Sequence, residues 1–346
     1  MWLDGRFGAE QLELQVATPY VLQDIRQVSF ANGVDERNNP LFEEVGEQRI
    51  ELLNRRHYPK RQGMGDLLVG LHATFLSLDP AKAQPDFRVR AQYTAPTAPV
   101  MKRDNTEVGE GLHQILVGVE AGYAVSQGVQ AHLDLSAKAR LAADQELYIT
   151  GFRTQHLQHP GSQARAATTV TITPWSSGNK ARFMTISLGG DVLFTAAGRE
   201  PSLLFDALSN SKCSEKDLAG GYLCEATKYR VPTTLPLTAR GDTSNGVTDV
   251  QEHLRLGGKM EIRYRPSEHI EIVAGTRVAF TPAHFLTFAR LGMDVDNSGE
   301  LDNVDATYNE SEYNPVYIEA LDKPGNRLLA SGILEVSGFF STAYLF

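Results

Sequence analysis

Alternation of apolar and polar residues with a period of two dominates the chain. In 129–142, alanine and leucine alternate with histidine, aspartate, serine, lysine and arginine, and 86–96 repeats the pattern. Because successive side chains of a strand point to opposite faces, each run predicts a strand with one apolar and one polar face. The chain is therefore expected to be an all-β protein.

Ten segments carry this pattern, and residues 1–5 resemble the tail of an eleventh strand. Several runs reach ten residues or more, the length needed to cross a bilayer at a tilt. The ten predicted strands are 10–20, 65–78, 86–96, 113–125, 129–142, 165–175, 182–196, 252–265, 270–284 and 330–346.

The connections between these strands alternate between short and long. Short turns are predicted at about 6–10, 79–85, 126–128, 176–180 and 266–269, and the longest loops at about 21–64, 198–251 and 288–327. Short turns at one end and long extracellular loops at the other are typical of outer-membrane barrels. Loops of such length are improbable in a compact soluble domain.

We therefore expect one domain, 1–346, that forms an antiparallel transmembrane β-barrel. Bacterial single-chain barrels prefer even strand numbers, so we expect about twelve strands, with an N-terminal strand incomplete or hidden in a loop. The last strand ends on Phe346, and closing strands of such barrels often end on an aromatic residue. A secreted soluble β-sandwich, whose strands also alternate, remains the competing interpretation.

Composition narrows the functional classes. The formal net charge of −9 disfavours general affinity for nucleic acid. Cys213 and Cys224 are close enough for a small disulfide loop, which implies an oxidising compartment, although two free thiols remain an alternative. The N-terminus lacks the pattern of a signal peptide, so we expect a mature, truncated or N-terminally incomplete chain.

The segment 294–305 matches a calcium-binding loop. Its candidate ligands are Asp294, Asp296, Ser298, Glu300, Asp302 and Asp305, grouped around the turn-forming Gly299. Calcium prefers six to eight oxygen ligands, which closely spaced carboxylates supply. Aspartate replaces glutamate at the last position, which predicts weaker binding. An acidic, solvated loop that binds no metal is the alternative.

The polar faces of the predicted strands carry many charged residues. In a barrel these side chains would face the lumen, where mixed charges either line a water-filled path or pair across a blocked interior. The candidate lumen residues are Arg88, Arg90, His132, Asp134, Lys138, Arg140, Glu261, Arg263, Arg265, Glu271 and Arg277.

The remaining motifs do not indicate a binding site or a catalytic site. The basic run 55–61 could contact lipopolysaccharide phosphates, but a solvated face is the simpler interpretation. The sequence contains no H-E-x-x-H, G-x-S-x-G or phosphate-binding glycine loop, so we expect no enzymatic activity.

Three short motifs carry a family resemblance. Gly63-Met64-Gly65-Asp66 opens one alternating strand, the next ends in Ala95-Pro96-Thr97-Ala98, and Gly109-Glu110-Gly111 opens a third. This order resembles outer-membrane barrels associated with the meta-pathway of phenol degradation, distant relatives of the fatty-acid-transporter type. The resemblance covers about 10–125 and the closing strand, although family members often have Pro-Thr-Gly where this chain has Pro96-Thr97-Ala98.

The resemblance implies a barrel of about twelve strands that passes hydrophobic compounds. Together with the strand pattern, it predicts a porin-like protein of the Gram-negative outer membrane, in contact with lipid and lipopolysaccharide. The expected function is passive passage of small or hydrophobic molecules. The alternative is a structural barrel that docks other surface proteins through its loops.

Overall fold

The computed structural model describes residues 2–9, 11–25, 42–45, 48–51, 59–76, 85–101, 105–143, 159–177, 182–205, 246–292, 319–325 and 327–344, with single positions between 294 and 317. These residues form strands and one helix of a single turn, so the protein is all-β.

The elements, in chain order, are β1 (Trp2–Ala9), β2 (Leu12–Asp24), β3 (Phe42–Val45), β4 (Gln48–Glu51), β5 (Arg61–Met64), β6 (Leu67–Leu76), β7 (Asp86–Ala95), β8 (Leu112–Ser126), β9 (Val129–Ala142), β10 (Gln163–Ser176), β11 (Phe183–Thr195), β12 (Gly198–Pro201), β13 (Val247–Val250), β14 (His253–Ser267), β15 (Ile270–Thr281), β16 (His284–Phe285), α1 (Glu319–Asp322), β17 (Leu329–Ala330) and β18 (Ile333–Tyr344).

One large antiparallel sheet contains most of the strands. Its order is β1-β2-β6-β7-β8-β9-β10-β11-β14-β15-β18, so each long strand pairs with the next long strand along the chain. All ten strands predicted from the sequence lie in this sheet, and the predicted eleventh is β1. The prediction of an antiparallel all-β fold is confirmed.

The first turn differs from the prediction. The sequence predicts a turn at 6–10, whereas β1 pairs with β2 through Ala9, because alternation continues across this segment. Further along, Gly128 has a φ of 83° in the tight turn between β8 and β9. Glycine adopts such a backbone conformation without steric cost, so it suits a turn of two residues.

The two edges of the sheet are β1 and β18. In the part of the chain that the structure describes, each pairs with only one neighbour, and no closure between them is seen. The first and last strands of an eleven-stranded antiparallel meander run in the same direction. Among the described strands, the short β5, which pairs with the end of β2, is the only further member of this sheet.

From β8 to β11 the apolar face of the sheet is exposed and the polar face is sheltered, whereas both faces of the edge strand β18 are largely exposed. Val117 is 54% exposed and Leu135 is 43% exposed, whereas Asp191 on the opposite face is 6% exposed. Along β9, every residue from Leu133 to Leu141 repeats this order, with the apolar side chains outermost. A flat sheet would expose both faces equally, so this sheet curls around its polar face.

Small elements pack at the end of the sheet where the long connections lie. The antiparallel pairs β12–β13 and β16–β17 and the helix α1 all belong to this loop end. Met101, Leu112, Phe205 and Val247 form a buried apolar cluster there. The segments 198–251 and 288–327, which were predicted as long loops, therefore contain ordered elements at their boundaries.

No helix within the described residues has the length and hydropathy needed to span a membrane.

Candidate functional site

All the candidate lumen residues lie on the polar face of the sheet. Strand register brings residues from β7, β9, β14 and β15 to this one face, because each charged position is an even number of residues from the next. The structure therefore groups the side chains that the sequence singled out. Three further charged residues, which the alternating pattern had not singled out, lie on the same face: Glu120, Arg165 and Asp191.

These three residues complete a row of alternating charges, which we call the charge ladder: Glu120, Arg90, Asp134, Arg165, Asp191 and Arg277. Arg90 binds Glu120 at 2.8 Å and both oxygens of Asp134 at 2.9 Å. Arg165 lies 3.3 Å from Asp134 and 3.5 Å from Asp191. The ladder thus links β7, β8, β9, β10 and β11 across the polar face.

Arg277 extends the charge ladder past an intervening strand. Its Nη2 lies 2.8 Å from Asp191 Oδ2, although β14 separates β15 from β11. The contact is possible because Gly257 of β14 has no side chain: a Cβ there would lie 2.5 Å from Asp191 Oδ1. Gly118 gives similar room to Arg90, whose Nε would lie 2.8 Å from an added Cβ.

Further ion pairs lie near the short-turn end. Arg263 contacts Glu261 at 3.3 Å and Glu271 at 3.6 Å, and Arg88 contacts Asp86 at 3.3 Å. The polar face is therefore held together by mixed charges from the middle of the sheet to this end.

A cavity of about 400 Å³ lies at the loop end of the polar face. We call it the mouth cavity. Its lining combines charged and amide side chains with an apolar wall: Pro19, Val21, Gly65, Asp66, Leu68, Thr94, Val108, Glu110, Gln114, Lys138, Arg140 and Gln163. Arg140 binds Glu200 of β12 at 2.6 Å and lies 3.8 Å from Glu110. The Arg140–Glu200 contact ties the β12–β13 pair to the polar face of β9.

Buried charges stabilise the packed elements around the mouth cavity. Arg199 donates to Asp249 at 3.0 Å, and both residues are buried. Burial raises the pKa of the Asp249 carboxyl, and the charge of Arg199 opposes that shift. Arg61, which the sequence groups with the basic run, is not solvated: it is buried, donates to the Asn105 and Glu107 carbonyls, and lies over Phe205.

Two histidines stack beside this region. The rings of His253 and His284 are 4.2 Å apart between centroids, and each Nδ1 lies 3.0 Å from a backbone carbonyl, of Gln251 and Pro282 respectively. Burial lowers the pKa of His284, and His253 lowers it further, while the Pro282 carbonyl acts in the opposite direction. The neutral imidazole is therefore the form that this packing favours.

Part of the predicted calcium loop is described. The amide of Gly299 donates to Asp294 Oδ2 at 2.8 Å, and Asn297 and Gly299 have φ values of 59° and 87°. The other candidate ligands, Asp296, Ser298, Glu300, Asp302 and Asp305, lie outside the described residues. Among the residues that are described, no group of three potential metal ligands occurs. Calcium binding stays a prediction.

Two further predictions fall on residues beyond the described part. Cys213 and Cys224 lie outside it, so the disulfide stays a prediction. The same holds for most of the basic run 55–61, including Arg55 and Arg56.

Comparison with known proteins adds no relative: the chain matches no family model, and no curated protein is significantly similar to it.

Proposed function

We propose that this chain is an integral β-barrel of a bacterial outer membrane and a passive channel for small molecules. The observation that carries the proposal is the inverted sheet, with large aliphatic side chains exposed and charged side chains sheltered. In water this arrangement exposes far more contiguous apolar surface than soluble proteins tolerate. In a bilayer the same surface faces lipid.

The distribution of aromatic residues supports the membrane assignment. On the apolar face, Phe75, Tyr123 and Trp175 lie near the short turns, and Tyr93 and Phe280 lie near the long loops. Aliphatic residues such as Val117 occupy the level between them. Outer-membrane barrels have two such aromatic girdles, where rings meet the lipid headgroups. The long strands have ten to fifteen residues from β6 to β15, enough to cross a bilayer.

Strand direction supports a twelve-stranded barrel. Because β1 and β18 run in the same direction, one additional strand between them would be antiparallel to both. It would also satisfy the backbone groups of both edges, which are costly to leave unpaired in lipid. The result has the even strand number of bacterial barrels. The resemblance to barrels associated with phenol degradation is consistent with this architecture, and we propose no enzymatic role.

The polar face favours a channel for polar solutes. Charges and amides line it from the short-turn end to the mouth cavity, and such a wall gives hydrophobic solutes no continuous apolar path. The proposed passage is therefore of small polar molecules in preference to hydrophobic ones. The charge ladder crosses the middle of this wall, so a solute would meet these charges midway along its path.

Replacement of Val117 by arginine tests the membrane assignment. Val117 lies at the centre of β8 on the apolar face. A lipid-facing arginine at mid-membrane costs about 2–4 kcal/mol, whereas an exposed position in a soluble sheet changes stability by less than about 0.5 kcal/mol. The measurement is the free energy of unfolding by urea in lipid vesicles.

Leu203→Arg is the matched control. Leu203 is as exposed as Val117 but lies outside the large sheet, next to β12. We expect it to cost less than about 1 kcal/mol. Equal small losses for both variants, together with release of the protein from membranes by carbonate, would contradict the membrane assignment.

Docking of other surface proteins is the second candidate function. The observation that favours it is the ordered packing at the loop end, where Arg61, Phe205 and Asp249 are buried. Such packing gives the outer end a defined surface. Single-channel conductance in planar bilayers distinguishes the two functions, because a channel conducts and a docking barrel is silent.

A further inference from the structure

One cation of the mouth cavity, Lys138, has no close partner among the residues that the structure describes. Lys138 of β9 has no ion pair and no hydrogen bond within the residues that the structure describes. The neighbouring arginines of the polar face are all engaged: Arg90 with Asp134, Arg140 with Glu200 and Arg165 with Asp191. An unpaired ammonium group in a sheltered site is costly, so it favours an external anion.

Of the two acids that line the mouth cavity, Glu110 attracts the Lys138 ammonium group only from beyond ion-pair distance, and Asp66 makes other contacts. Glu110 accepts a hydrogen bond from Gln114 at 3.4 Å and lies 3.8 Å from Arg140. Asp66 accepts the amide of Ala98 at 2.9 Å. Burial also raises the pKa of Asp66, which favours the protonated, uncharged form of this carboxyl group. Both carboxyl groups therefore have partners other than Lys138.

The rest of the cavity suits a small ligand with oxygen atoms. Thr94, Gln114 and Gln163 bring hydroxyl and amide donors to the same space as Lys138. The volume of about 400 Å³ lies at the lower end of the range for small-molecule sites. The cavity therefore combines a lysine that has no acid within ion-pair distance, neutral donors and partial shelter from solvent.

We propose that the mouth cavity binds a small oxyanion, with the Lys138 ammonium group as its principal contact. The part of this inference that concerns which solutes pass the channel rests on the proposed function. As a binding site, it stands on the cavity alone. A cationic site at the entrance would concentrate anions there and give the channel a preference for anionic solutes.

Equilibrium dialysis with radiolabelled inorganic phosphate tests the site. The sample is the full chain in detergent at low ionic strength, where charge interactions are least screened. Wild-type protein is expected to bind phosphate saturably. Lys138→Gln is expected to weaken binding by at least about tenfold, since it removes a charged hydrogen-bond donor. Lys138→Arg, which keeps the charge, is expected to retain most of the binding.

Lys259→Gln is the matched control. Lys259 is on the same face of the sheet, on β14, and also has no ion pair among the described residues, but it does not line the mouth cavity. Its replacement is expected to leave phosphate binding unchanged. Absence of saturable binding to the wild type overturns the proposal, as does equal binding by the wild type and Lys138→Gln. A phosphate-dependent rise in the melting temperature reports binding independently of dialysis.

Conductance measurements separate this inference from the channel itself. In a salt gradient, a wild-type channel is expected to prefer anions, and Lys138→Gln is expected to reduce that preference. Phosphate binding by a protein that never conducts would support the site and contradict the channel. Conductance without phosphate binding would support the channel and contradict the site.

Discussion

At the scale of single residues, glycines decide where charged side chains can meet. Gly257 and Gly258 are adjacent on β14 and point to opposite faces. A Cβ on Gly257 would lie 2.5 Å from Asp191 Oδ1, whereas a Cβ on Gly258 would have no neighbour closer than 3.9 Å. Position 257, on the polar face, therefore requires glycine. Position 258, on the apolar face, has room for a side chain.

Alanine substitution at the two positions is expected to give opposite results. Gly257→Ala pushes against Asp191 and disturbs its contact with Arg277, so it should cost about 1–3 kcal/mol of stability. Gly258→Ala should be neutral, or stabilise by about 0.4–1 kcal/mol, because it restricts the unfolded chain. Urea unfolding of both variants provides the measurement. Equal effects at both positions would contradict the assignment of the two faces.

At the scale of elements, the packing of β16 against β14 depends on a neutral histidine. His284 is buried and stacks on His253, and burial lowers its pKa below the ordinary value of 6.5. A pKa that is lower in the folded state means that the unfolded state binds the proton more readily. This contribution to stability is therefore complete above pH 6.5 and is lost as the pH falls through the folded pKa.

We expect the melting temperature of the wild type to fall as the pH drops below about 6.5, and His284→Gln to show a smaller fall. His269→Gln is the control, because His269 is exposed in the turn between β14 and β15. Its pH dependence should match that of the wild type. An undiminished pH dependence in His284→Gln would show that other groups are responsible.

The acidic segment 294–305 is the second element with a testable property. If Asp294 and its neighbours bind calcium, millimolar calcium should stabilise the protein relative to EDTA by about 1–2 kcal/mol at tenfold excess over the dissociation constant. Asp305→Asn should abolish the calcium-dependent shift in melting temperature. Glu252→Gln, which removes an exposed acid outside the loop, should retain it. No shift in the wild type would argue for a solvated acidic loop.

At the scale of the whole molecule, the stability of the sheet requires that both its exposed apolar face and its two edges are covered. Lipid can cover the face, but only strand pairing can satisfy the edge groups of β1 and β18. A closed barrel in detergent should therefore resist dodecyl sulfate and migrate faster on a gel before heating than after. Equal migration of heated and unheated protein would indicate an open sheet and favour a secreted soluble protein.

The sequence alone determined the strands and their two faces. A period of two is a local property, so the runs at 86–96 and 129–142 could be recognised without knowledge of their neighbours. The same alternation identified Arg90 and Asp134 as members of one face. Glu120 and Asp191 could have been identified by the same alternation, because each is an even number of residues from the other polar-face positions of its strand, β8 or β11.

Only the tertiary structure decided which charges pair and which remain free. The contact of Arg277 with Asp191 depends on the register of three strands and on the missing side chain at Gly257, and no local pattern contains that information. Burial of Arg61 likewise depends on 105–107 and Phe205, which are distant in sequence. Lys138 and Arg140 are alike in the sequence pattern. They differ because β12 brings Glu200 to Arg140, while no described acid lies within ion-pair distance of Lys138.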